Sequence, residues 1–300
     1  MTERVVAVVV TYHPDLPALD ALLDALSRQV AAVLVVDNGS GAVGLAPLCE
    51  RLDADLIALG TNEGIAAAQN RGIERALAAG ASHVLLSDQD SLPAPDMVDR
   101  LLAATRAATD RGERVGAVGP VSVDARSNDE VMVYRAARWG PRRSSCISDQ
   151  DGLIPAAFLL ASGCLVSRAV LEEVGPMRAE WFIDHVDLEW GLRARRAGYD
   201  LYAVESARLE HHLGDRLVRL PGRRQEVHVH GPIRVYYLTR NTLLLVRSGL
   251  LPHAWRLGYL VWVTKFAGFN VLLVRPRGER LRMVARGLRD GVLGRTGPYG

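Results

Sequence analysis

Short apolar runs and longer amphipathic segments alternate along the first 120 residues of the chain. The run at residues 5–10 is continuous and rich in valine, which is typical of a strand buried on both faces of a parallel sheet. The next segment places four leucines on one helical stripe, at Leu19, Leu22, Leu23 and Leu26. The pattern predicts strands at 5–10, 32–36, 55–59, 83–86 and 115–118, and helices at 16–30, 45–52, 64–79 and 95–108. This alternation predicts an α/β fold with a doubly wound, mostly parallel sheet flanked by helices.

Polar residues cluster where four of the predicted strands end. The clusters are Thr11-Tyr12-His13, Asp37-Asn38-Gly39-Ser40, Thr61-Asn62-Glu63-Gly64 and Asp88-Gln89-Asp90. Because the carboxyl ends of parallel strands meet at one edge of a sheet, these side chains are expected to line one ligand crevice. The first turn lacks the glycine pattern of a dinucleotide-binding site, which excludes that class.

Asp88 and Asp90 are two residues apart at the end of an apolar run. In an extended chain such side chains point the same way, about 7 Å apart. Two carboxylates can hold a hard divalent cation and leave its other positions to water and phosphate. The alternative is an ordinary Asp-rich turn, which the prolines at 93 and 95 favour.

A second acidic cluster comprises Asp184, Asp187 and Glu189, and it lies among aromatic residues. A helix is predicted over 186–197, closed by Gly198. Carboxylates at the start of a helix are stabilised by the backbone dipole. This structural role is sufficient to explain one of the three acidic residues. Apolar surroundings raise the pKa of an aspartate, so Asp187 is a candidate general base.

The last third of the chain predicts apolar helices at 233–247 and 255–274. Lys265 in the middle of the second helix argues against a membrane span. Its aromatic residues, followed by seven arginines and two acids over 275–300, predict a helix lying on an anionic membrane surface. A core helix is the alternative. The polar segment 127–154 is predicted to be a mobile cover over the substrate.

Composition, net charge and cysteine content restrict the type of protein, the partners and the compartment that the sequence allows. The chain is 49% hydrophobic and 23% charged, which suits a folded domain, and its net charge of +2 gives no reason to expect nucleic acid. Three cysteines without metal-ligand spacing indicate a reducing compartment. No long apolar stretch opens the chain, so no secretory signal is expected, and the predicted location is cytoplasmic.

In order and spacing, these motifs resemble those of a family 2 glycosyltransferase with the GT-A fold, over most of residues 4–245. The marks are the strand ending in Thr11-Tyr12, Asp37-Asn38-Gly39-Ser40, the Asn62 to Gly72 stretch, Asp88-x-Asp90, Ser162-Gly163, the Asp187 cluster and Tyr236-Tyr237-x-x-Arg240-Asn241. The variant of the acidic cluster, with His211-His212 and Arg240-Asn241 after it, resembles bacterial rhamnosyltransferases that use dTDP-L-rhamnose.

The resemblance implies a role for each matching residue. Thr11 and Tyr12 would border the nucleotide base, and Asp37 would bind the base or ribose. The full donor-binding set is Thr11, Tyr12, Asp37, Asn38, Asn62, Gly64, Asn70, Asp88, Gln89 and Arg240. Mg²⁺ or Mn²⁺ would be held by Asp88, Asp90 and His211 (or His212). Asp187 would be the base. Val186 stands where the family has Glu, so Asp184 and Glu189 stay candidates to share that role.

The resemblance also implies an inverting transfer, with L-rhamnose from dTDP-rhamnose favoured as the donor. The acceptor would be a hydroxyl of a cell-envelope glycan or a polyprenyl-diphosphate-linked glycan, reached at the inner face of the membrane. A catalytic domain is predicted over 1–230, with a nucleotide-sugar half to about 120 and an acceptor half after it, and a C-terminal helical extension over 231–300. Alternatives are another donor such as UDP-galactofuranose or a UDP-hexose, a nucleotidyltransferase or phosphate hydrolase, and a non-catalytic nucleotide-sugar binder. A homo-oligomer stays open.

Overall fold

A computed structural model describes residues 3–41, 43–124, 130–131, 133–144, 148–149, 151–211, 216–219 and 226–300. The strands are β1 (Val5–Thr11), β2 (Ala32–Asp37), β3 (Asp55–Ala58), β4 (His83–Asp88), β5 (Ser91–Pro93), β6 (Val115–Asp124), β7 (Glu130–Val131), β8 (Val133–Ala137), β9 (Gly140–Ser144), β10 (Leu153–Pro155), β11 (Cys164–Ser167), β12 (Asp200–His211), β13 (Arg216–Arg219) and β14 (Glu226–Val229). The helices are α1 (Leu16–Ser27), α2 (Leu45–Arg51), α3 (Ile65–Ala78), α4 (Met97–Asp110), α5 (Arg168–Val174), α6 (Val186–Arg196), α7 (Pro232–Arg247), α8 (His253–Leu272) and α9 (Arg277–Leu293), with a short 3₁₀ turn at Ala179–Trp181.

The central sheet has the strand order β10-β12-β6-β11-β4-β1-β2-β3. Strands β1 to β4 pair in parallel, as do β6 and β12. Strand β11 runs antiparallel between β4 and β6 and joins the two parallel groups. The prediction of a mostly parallel, doubly wound sheet is therefore confirmed, with antiparallel strands added at its centre and edge.

Strand β1 shows why its sequence is apolar at every position. Val6 and Val8 enter the hydrophobic core on one face of the sheet, while Val5 and Val9 enter a second core on the other face. Helix α3 packs so closely on the first face that a Cβ on Gly72 would collide with Val8. A strand covered on both faces has no position at which a polar side chain reaches water.

The segment that follows β6 contains a hairpin rather than an irregular cover. Strands β8 and β9 pair in register, and the Trp255 indole donates a hydrogen bond of 2.8 Å to the Ala137 carbonyl. A Cβ on Gly258 of α8 would collide with the Trp139 carbonyl, so the hairpin turn lies directly on that helix. Residues 133–144 of the segment predicted to be mobile therefore form a hairpin packed on α8, and the mobility of the segment stays a prediction. Residues 125–129, 132, 145–147 and 150 lie outside the described part.

Helices α7, α8 and α9 form a layer that packs against the sheet core through Leu245, Leu251 and Trp255. Helix α9 occupies the arginine-rich stretch within the predicted C-terminal helical extension. A Cβ on Gly287 would lie 2.8 Å from the Tyr236 carbonyl, so glycine lets α9 approach α7 closely. The arginine-rich stretch therefore supplies a packed helical face to α7.

Two arginines of the 275–300 region, Arg280 and Arg289, are bound by other groups of the protein. Arg280 is buried and donates to the Asn270 side chain at 2.6 Å and to the His230 carbonyl at 2.8 Å. Arg289 forms an ion pair with the buried Asp290 at 2.9 Å. Among the helices of the described residues, none combines the length and apolarity needed to cross a bilayer.

Candidate active site

Strand register gathers the predicted site residues at one edge of the sheet. Thr11 at the end of β1 pairs with Asp37 at the end of β2, and Val10 pairs with Asp88 at the end of β4. The three strand ends therefore open into a common crevice, as their parallel alignment predicts.

Asp37 is buried and receives hydrogen bonds from its neighbours. Thr11 Oγ1 donates to Asp37 Oδ1 at 3.1 Å, and the Ser40 amide donates to Oδ2 at 3.0 Å. The Ser40 hydroxyl donates to Oδ1 as well. Thr11 is itself fully buried, whereas Tyr12 is 45% exposed. Of the predicted base-bordering pair, Thr11 thus supports Asp37 and Tyr12 faces the solvent side of the crevice.

The turn between β3 and α3 is tied to the end of β2. Asn38 Nδ2 donates to Asn62 Oδ1 at 3.0 Å, and Asn62 Oδ1 also accepts from the Gly64 amide at 3.0 Å. Gly64 has a φ of +91°, and a Cβ there would lie 2.6 Å from the Phe182 carbonyl. Only glycine fits this position, because it needs both the left-handed backbone and the space.

Gln89 acts on the backbone of the neighbouring strand. The Tyr12 amide donates to Gln89 Oε1 at 2.7 Å, and Gln89 Nε2 donates to the Tyr12 carbonyl at 3.1 Å. Both ends of the Gln89 amide are therefore engaged in joining β1 to the turn that carries Asp88 and Asp90. Asn70 is engaged in the same way, through two hydrogen bonds of 2.8 Å with the Met177 backbone.

Asp88 and Asp90 are both partly exposed at the end of β4. The Asp88 amide donates to Ser162 Oγ at 3.4 Å, and the Ser91 and Ser162 hydroxyls are 2.5 Å apart. This turn is therefore fixed by the residues that precede β11. The two carboxylates fit Mg²⁺ or Mn²⁺, since both ions accept carboxylate oxygens and leave positions for water and phosphate.

The third predicted metal ligand is only partly located. The backbone of His211 pairs with Ser91, next to Asp90, but the side chain of His211 and all of His212 lie outside the described residues. Within the described residues, no cluster of three or more His, Cys, Asp or Glu side chains is arranged to hold a metal ion.

Asp187 lies in the first turn of α6, above an apolar pocket. The pocket walls include Ala161, Cys164, Met177 and Trp190. Burial, together with the negative charges of Asp88 and Asp184, raises the pKa of Asp187 to about 7. Asp187 Oδ2 accepts a hydrogen bond of 3.1 Å from the Ala161 amide, which opposes the shift. A carboxylate with this pKa can accept a proton near neutral pH.

The two neighbouring acids are held in ion pairs. Glu189 is fully buried between Arg178 and Arg193, with distances of 2.9 and 3.0 Å. Asp184 pairs with Arg234 at 2.5 Å. Asp187 instead accepts from a backbone amide and feels the charge of Asp88. The structure thus brings Asp187 and Asp88 to one crevice and turns Glu189 toward arginines.

Residues 181–185, here named the acid loop, lead into α6 with an unusual backbone. Phe182, Asp184 and His185 have φ values of +69°, +67° and +61°. His185 Nε2 lies 2.8 Å from Thr242 Oγ1, and burial lowers its pKa to about 4, so its imidazole is neutral at pH 7. The loop therefore enters the helix through an uncharged imidazole that is held from α7.

Arg240 does not reach the crevice, contrary to the prediction that it binds the donor. Its side chain is fully buried and donates to the Trp181 carbonyl at 2.9 Å and to the Gly297 carbonyl at 2.6 Å. Its guanidinium also lies over the ring of Tyr237, 4.9 Å from the centroid. The physical reason is that packing among aromatic rings and carbonyls satisfies an arginine without any anionic ligand.

Two hydroxyl groups of the site, those of Ser40 and Ser162, lie in motifs of the sequence but had no predicted role there. Ser40 caps Asp37, and the spacing of three residues after an aspartate is the signal of such a turn. Ser162 reaches the Asp88 turn from 74 residues away, and no local pattern marks that contact.

Comparison with known proteins identifies a family model and relatives that match this chain. Residues 3–229 match the family model "Glycosyltransferase like family 2". The chain is 31% identical to dTDP-rhamnosyl transferase RfbF of Shigella flexneri over 297 residues, which cover 99% of this chain and 98% of that protein. It is 28% identical over 261 residues to the N-acetylglucosaminyl-diphospho-decaprenol L-rhamnosyltransferase of Mycobacterium tuberculosis, covering 76% of this chain and 82% of that protein.

Two solved structures share the fold. The crystal structure of GalNAc-T7 with UDP, GalNAc and Mn²⁺ matches with a TM-score of 0.63 and 15% identity, covering 96% of this chain and 55% of that one. The crystal structure of S. aureus TarS 1-349 matches with a TM-score of 0.56 and 14% identity, covering 96% of this chain and 81% of that one. Because the family model spans most of the chain and the RfbF match spans nearly all of it, this chain belongs to glycosyltransferase family 2 and is a glycosyltransferase.

Proposed function

We propose that this glycosyltransferase moves L-rhamnose from dTDP-rhamnose to a hydroxyl of a lipid-linked glycan, with inversion at the anomeric carbon and Asp187 as the general base. The observation that carries the proposal is the pairing of Asp187 and Asp88 in one crevice. Asp187 has a pKa raised to about 7, and the charge of Asp88 contributes to the shift. The rhamnosyltransferase names of two relatives support the choice of donor.

The donor half of the reaction would use the strand ends. Tyr12 would border the base, and the buried Asp37, held by Thr11 and Ser40, would accept hydrogen bonds from the base or ribose. Asp88 and Asp90 would hold Mg²⁺ or Mn²⁺. When bound, such a cation neutralises charge on the departing nucleoside diphosphate. His211 is proposed as a further ligand because its backbone pairs with Ser91.

The acceptor half would use Asp187. The acceptor hydroxyl would give its proton to a carboxylate oxygen of Asp187 as its own oxygen attacks the anomeric carbon. Positioned base catalysis of this kind contributes about 10²–10⁴-fold to a rate. The hydrogen bond from the Ala161 amide would hold the carboxylate in place while leaving its other oxygen to the substrate. Glu189, buried between two arginines, would hold α6 and take no part in proton transfer.

The acceptor would be reached at the cytoplasmic face of the membrane. Helix α8 exposes apolar side chains in the part that lies beside the β8–β9 hairpin: Leu257, Leu260, Val261 and Trp262. Lys265 is exposed on the same helix, and Arg275, Arg277 and Arg282 are exposed beyond it. An apolar face flanked by cations is suited to an anionic lipid surface. A diphosphodecaprenol-linked acceptor in the name of one relative supports this location.

A transfer assay tests the proposal directly. The purified protein would be incubated with dTDP-rhamnose, UDP-galactofuranose or a UDP-hexose and a polyprenyl-diphosphate-linked N-acetylglucosamine, and the product would be identified by mass and by the anomeric configuration of the new bond. We expect transfer of rhamnose only, with inversion. Asp187→Asn is expected to lose transfer while retaining donor binding. Transfer of another sugar would overturn the donor, and full activity of Asp187→Asn would overturn the base.

A further inference from the structure

The acid loop is strained, and its shape must be imposed by its surroundings. Three residues that carry side chains, Phe182, Asp184 and His185, have left-handed φ values. Such a conformation is unfavourable for a residue with a Cβ and persists only where neighbouring groups determine it. The loop ends two residues before Asp187, so its shape decides where α6 begins and where the Asp187 carboxylate lies.

Asn241 supplies the contacts that impose this shape. Its Nδ2 atom lies 3.0 Å from the Trp181 carbonyl, 2.7 Å from the Ile183 carbonyl and 3.0 Å from the Asp184 carbonyl. The Asn241 side chain is fully buried, so water cannot replace it as the partner of these carbonyls. One amide group thus gathers three carbonyls of the acid loop around a single point.

The orientation of the Asn241 amide is dictated by chemistry. On one side its Oδ1 atom accepts from Arg240 Nε at 2.9 Å, and a guanidinium can only donate. On the other side the three carbonyls can only accept. The nitrogen must therefore face the loop. Arg240 is itself held by the Gly297 carbonyl and by the ring of Tyr237, so the amide is supported from behind.

The neighbours of Asn241 extend the same support. Thr242, the next residue of α7, contacts the His185 imidazole at the end of the loop. On the opposite side the loop backbone at Phe182 lies against Gly64, in the turn that is tied to the end of β2. The acid loop is thus held between α7 and the donor side of the crevice.

Resting on the proposed function, in which Asp187 is the base, we infer that Asn241 is a positioning residue for the transfer reaction. It holds the acid loop in the conformation that directs Asp187 into the crevice beside Asp88. It touches no substrate, so its loss should lower kcat while donor binding, which uses the strand ends, is retained.

Two variants of Asn241 and one matched control separate this role from general stability. Asn241→Asp keeps an oxygen for Arg240 and can form an ion pair with it, but it replaces the donating nitrogen by an oxygen that repels the three carbonyls. Asn241→Ala removes both the oxygen that accepts from Arg240 and the nitrogen that donates to the carbonyls. Asn270→Ala is the control, because Asn270 is an equally buried amide that bonds Arg280 and the Phe266 carbonyl but not the acid loop.

Tm would be measured for each variant. Donor Kd, kcat and acceptor KM would then be measured below that temperature, with Asp187→Asn alongside. We expect kcat to fall on the order of 10–100-fold in both Asn241 variants, the scale on which a misplaced catalytic group reduces a rate, with donor Kd unchanged. Asn241→Asp should show this loss even where its Tm stays near that of the wild type. Asn270→Ala should lower Tm and keep kcat.

Three outcomes would overturn the inference: wild-type kcat in both Asn241 variants, an equal loss of kcat in Asn270→Ala, or a loss of donor binding that accounts for the loss of rate. The proposed function fails on a different result, namely an active Asp187→Asn variant or a wild-type protein that transfers no rhamnose. In the latter case the same comparison is run with whichever sugar is transferred.

Discussion

Replacing Asp187 by Asn should make the protein inactive and more stable at once. The folded protein raises the pKa of Asp187 from 3.8 to about 7, mainly by burial. Ionising this carboxyl group therefore costs more in the folded chain than in the unfolded chain. Asparagine has nearly the same shape and can accept the hydrogen bond of the Ala161 amide, but it carries no charge. The variant thus avoids the cost of a buried negative charge.

The sign and size of the effect follow from proton binding. Below pH 3.8 the group is protonated in both states and contributes no difference. Between pH 3.8 and about 7 the folded chain keeps a proton that the unfolded chain has lost, so the free energy of unfolding falls as pH rises. The shift of about three units, at about 1.36 kcal/mol per unit, sets an upper limit of about 4 kcal/mol above pH 7. The advantage of the Asn variant should grow over the same interval and then level off.

Thermal unfolding of the wild type and of Asp187→Asn at pH 4, 6 and 8, without added metal, measures this advantage. A gain of a few kcal/mol corresponds to roughly 5–10 °C in Tm for a chain of this size, so that difference is expected at pH 8 and little at pH 4. Once Mg²⁺ or Mn²⁺ is added to the same preparations, kcat of the variant should be lower by about 10²–10⁴-fold. Asp184→Asn is the control, because it breaks the ion pair with Arg234 and should lower Tm. A Tm difference that does not change with pH, or a wild type that is the more stable at pH 8, would refute the reasoning.

Four further outcomes are expected. Because Asp187 must be unprotonated to act as a base, kcat/KM should rise with pH through about 7, and a flat profile from pH 5 to 9 would contradict this. Asp88→Asn and Asp90→Asn should each abolish transfer, as should EDTA, while circular dichroism stays unchanged; full activity in EDTA would remove the metal from the reaction. Gly64→Ala, at a φ of +91° and facing the acid loop backbone, should lower stability by about 1–3 kcal/mol and weaken donor binding, and an unchanged Tm would argue against the close approach. Trp262→Glu should reduce co-sedimentation with phosphatidylglycerol vesicles and leave donor binding intact, whereas equal sedimentation of variant and wild type would place the lipid contact elsewhere.

The first half of the fold could be predicted from the chain because its signals are local. Strand β1 is apolar at each position since both of its faces are covered, and the polar turns after β1, β2 and β4 follow from sheet topology. The nearness of Asp187 to Asp88 could be expected only from the family resemblance, because 99 positions of chain separate them. Its apolar neighbours did indicate a raised pKa.

The second half of the fold was harder to predict from the sequence because its packing depends on residues far away in the chain. Helix α9 places Gly287 rather than a large apolar residue against α7, so its buried face is weak in the sequence. The β8–β9 hairpin is held by Trp255, over one hundred residues away, and its polar strands resemble a loop. Arg240 was assigned to the donor because an arginine that binds phosphate and one that binds carbonyls look alike in a sequence.

The hydrogen bonds that hold the acid loop come from residues late in the chain, and this affects the order in which the protein folds during synthesis. The Trp181 carbonyl is held by Asn241, 60 residues later in the chain, and Arg240 is in turn held by Gly297, 57 residues later again. Chains emerge from the ribosome N-terminus first, and domains fold in that order. We therefore expect a growing chain to acquire its donor crevice well before its base is in place, so that sugar transfer is the last property to appear. Ribosome-bound chains arrested before residue 241 should bind nucleotide without transferring sugar, and transfer by such chains would refute this order.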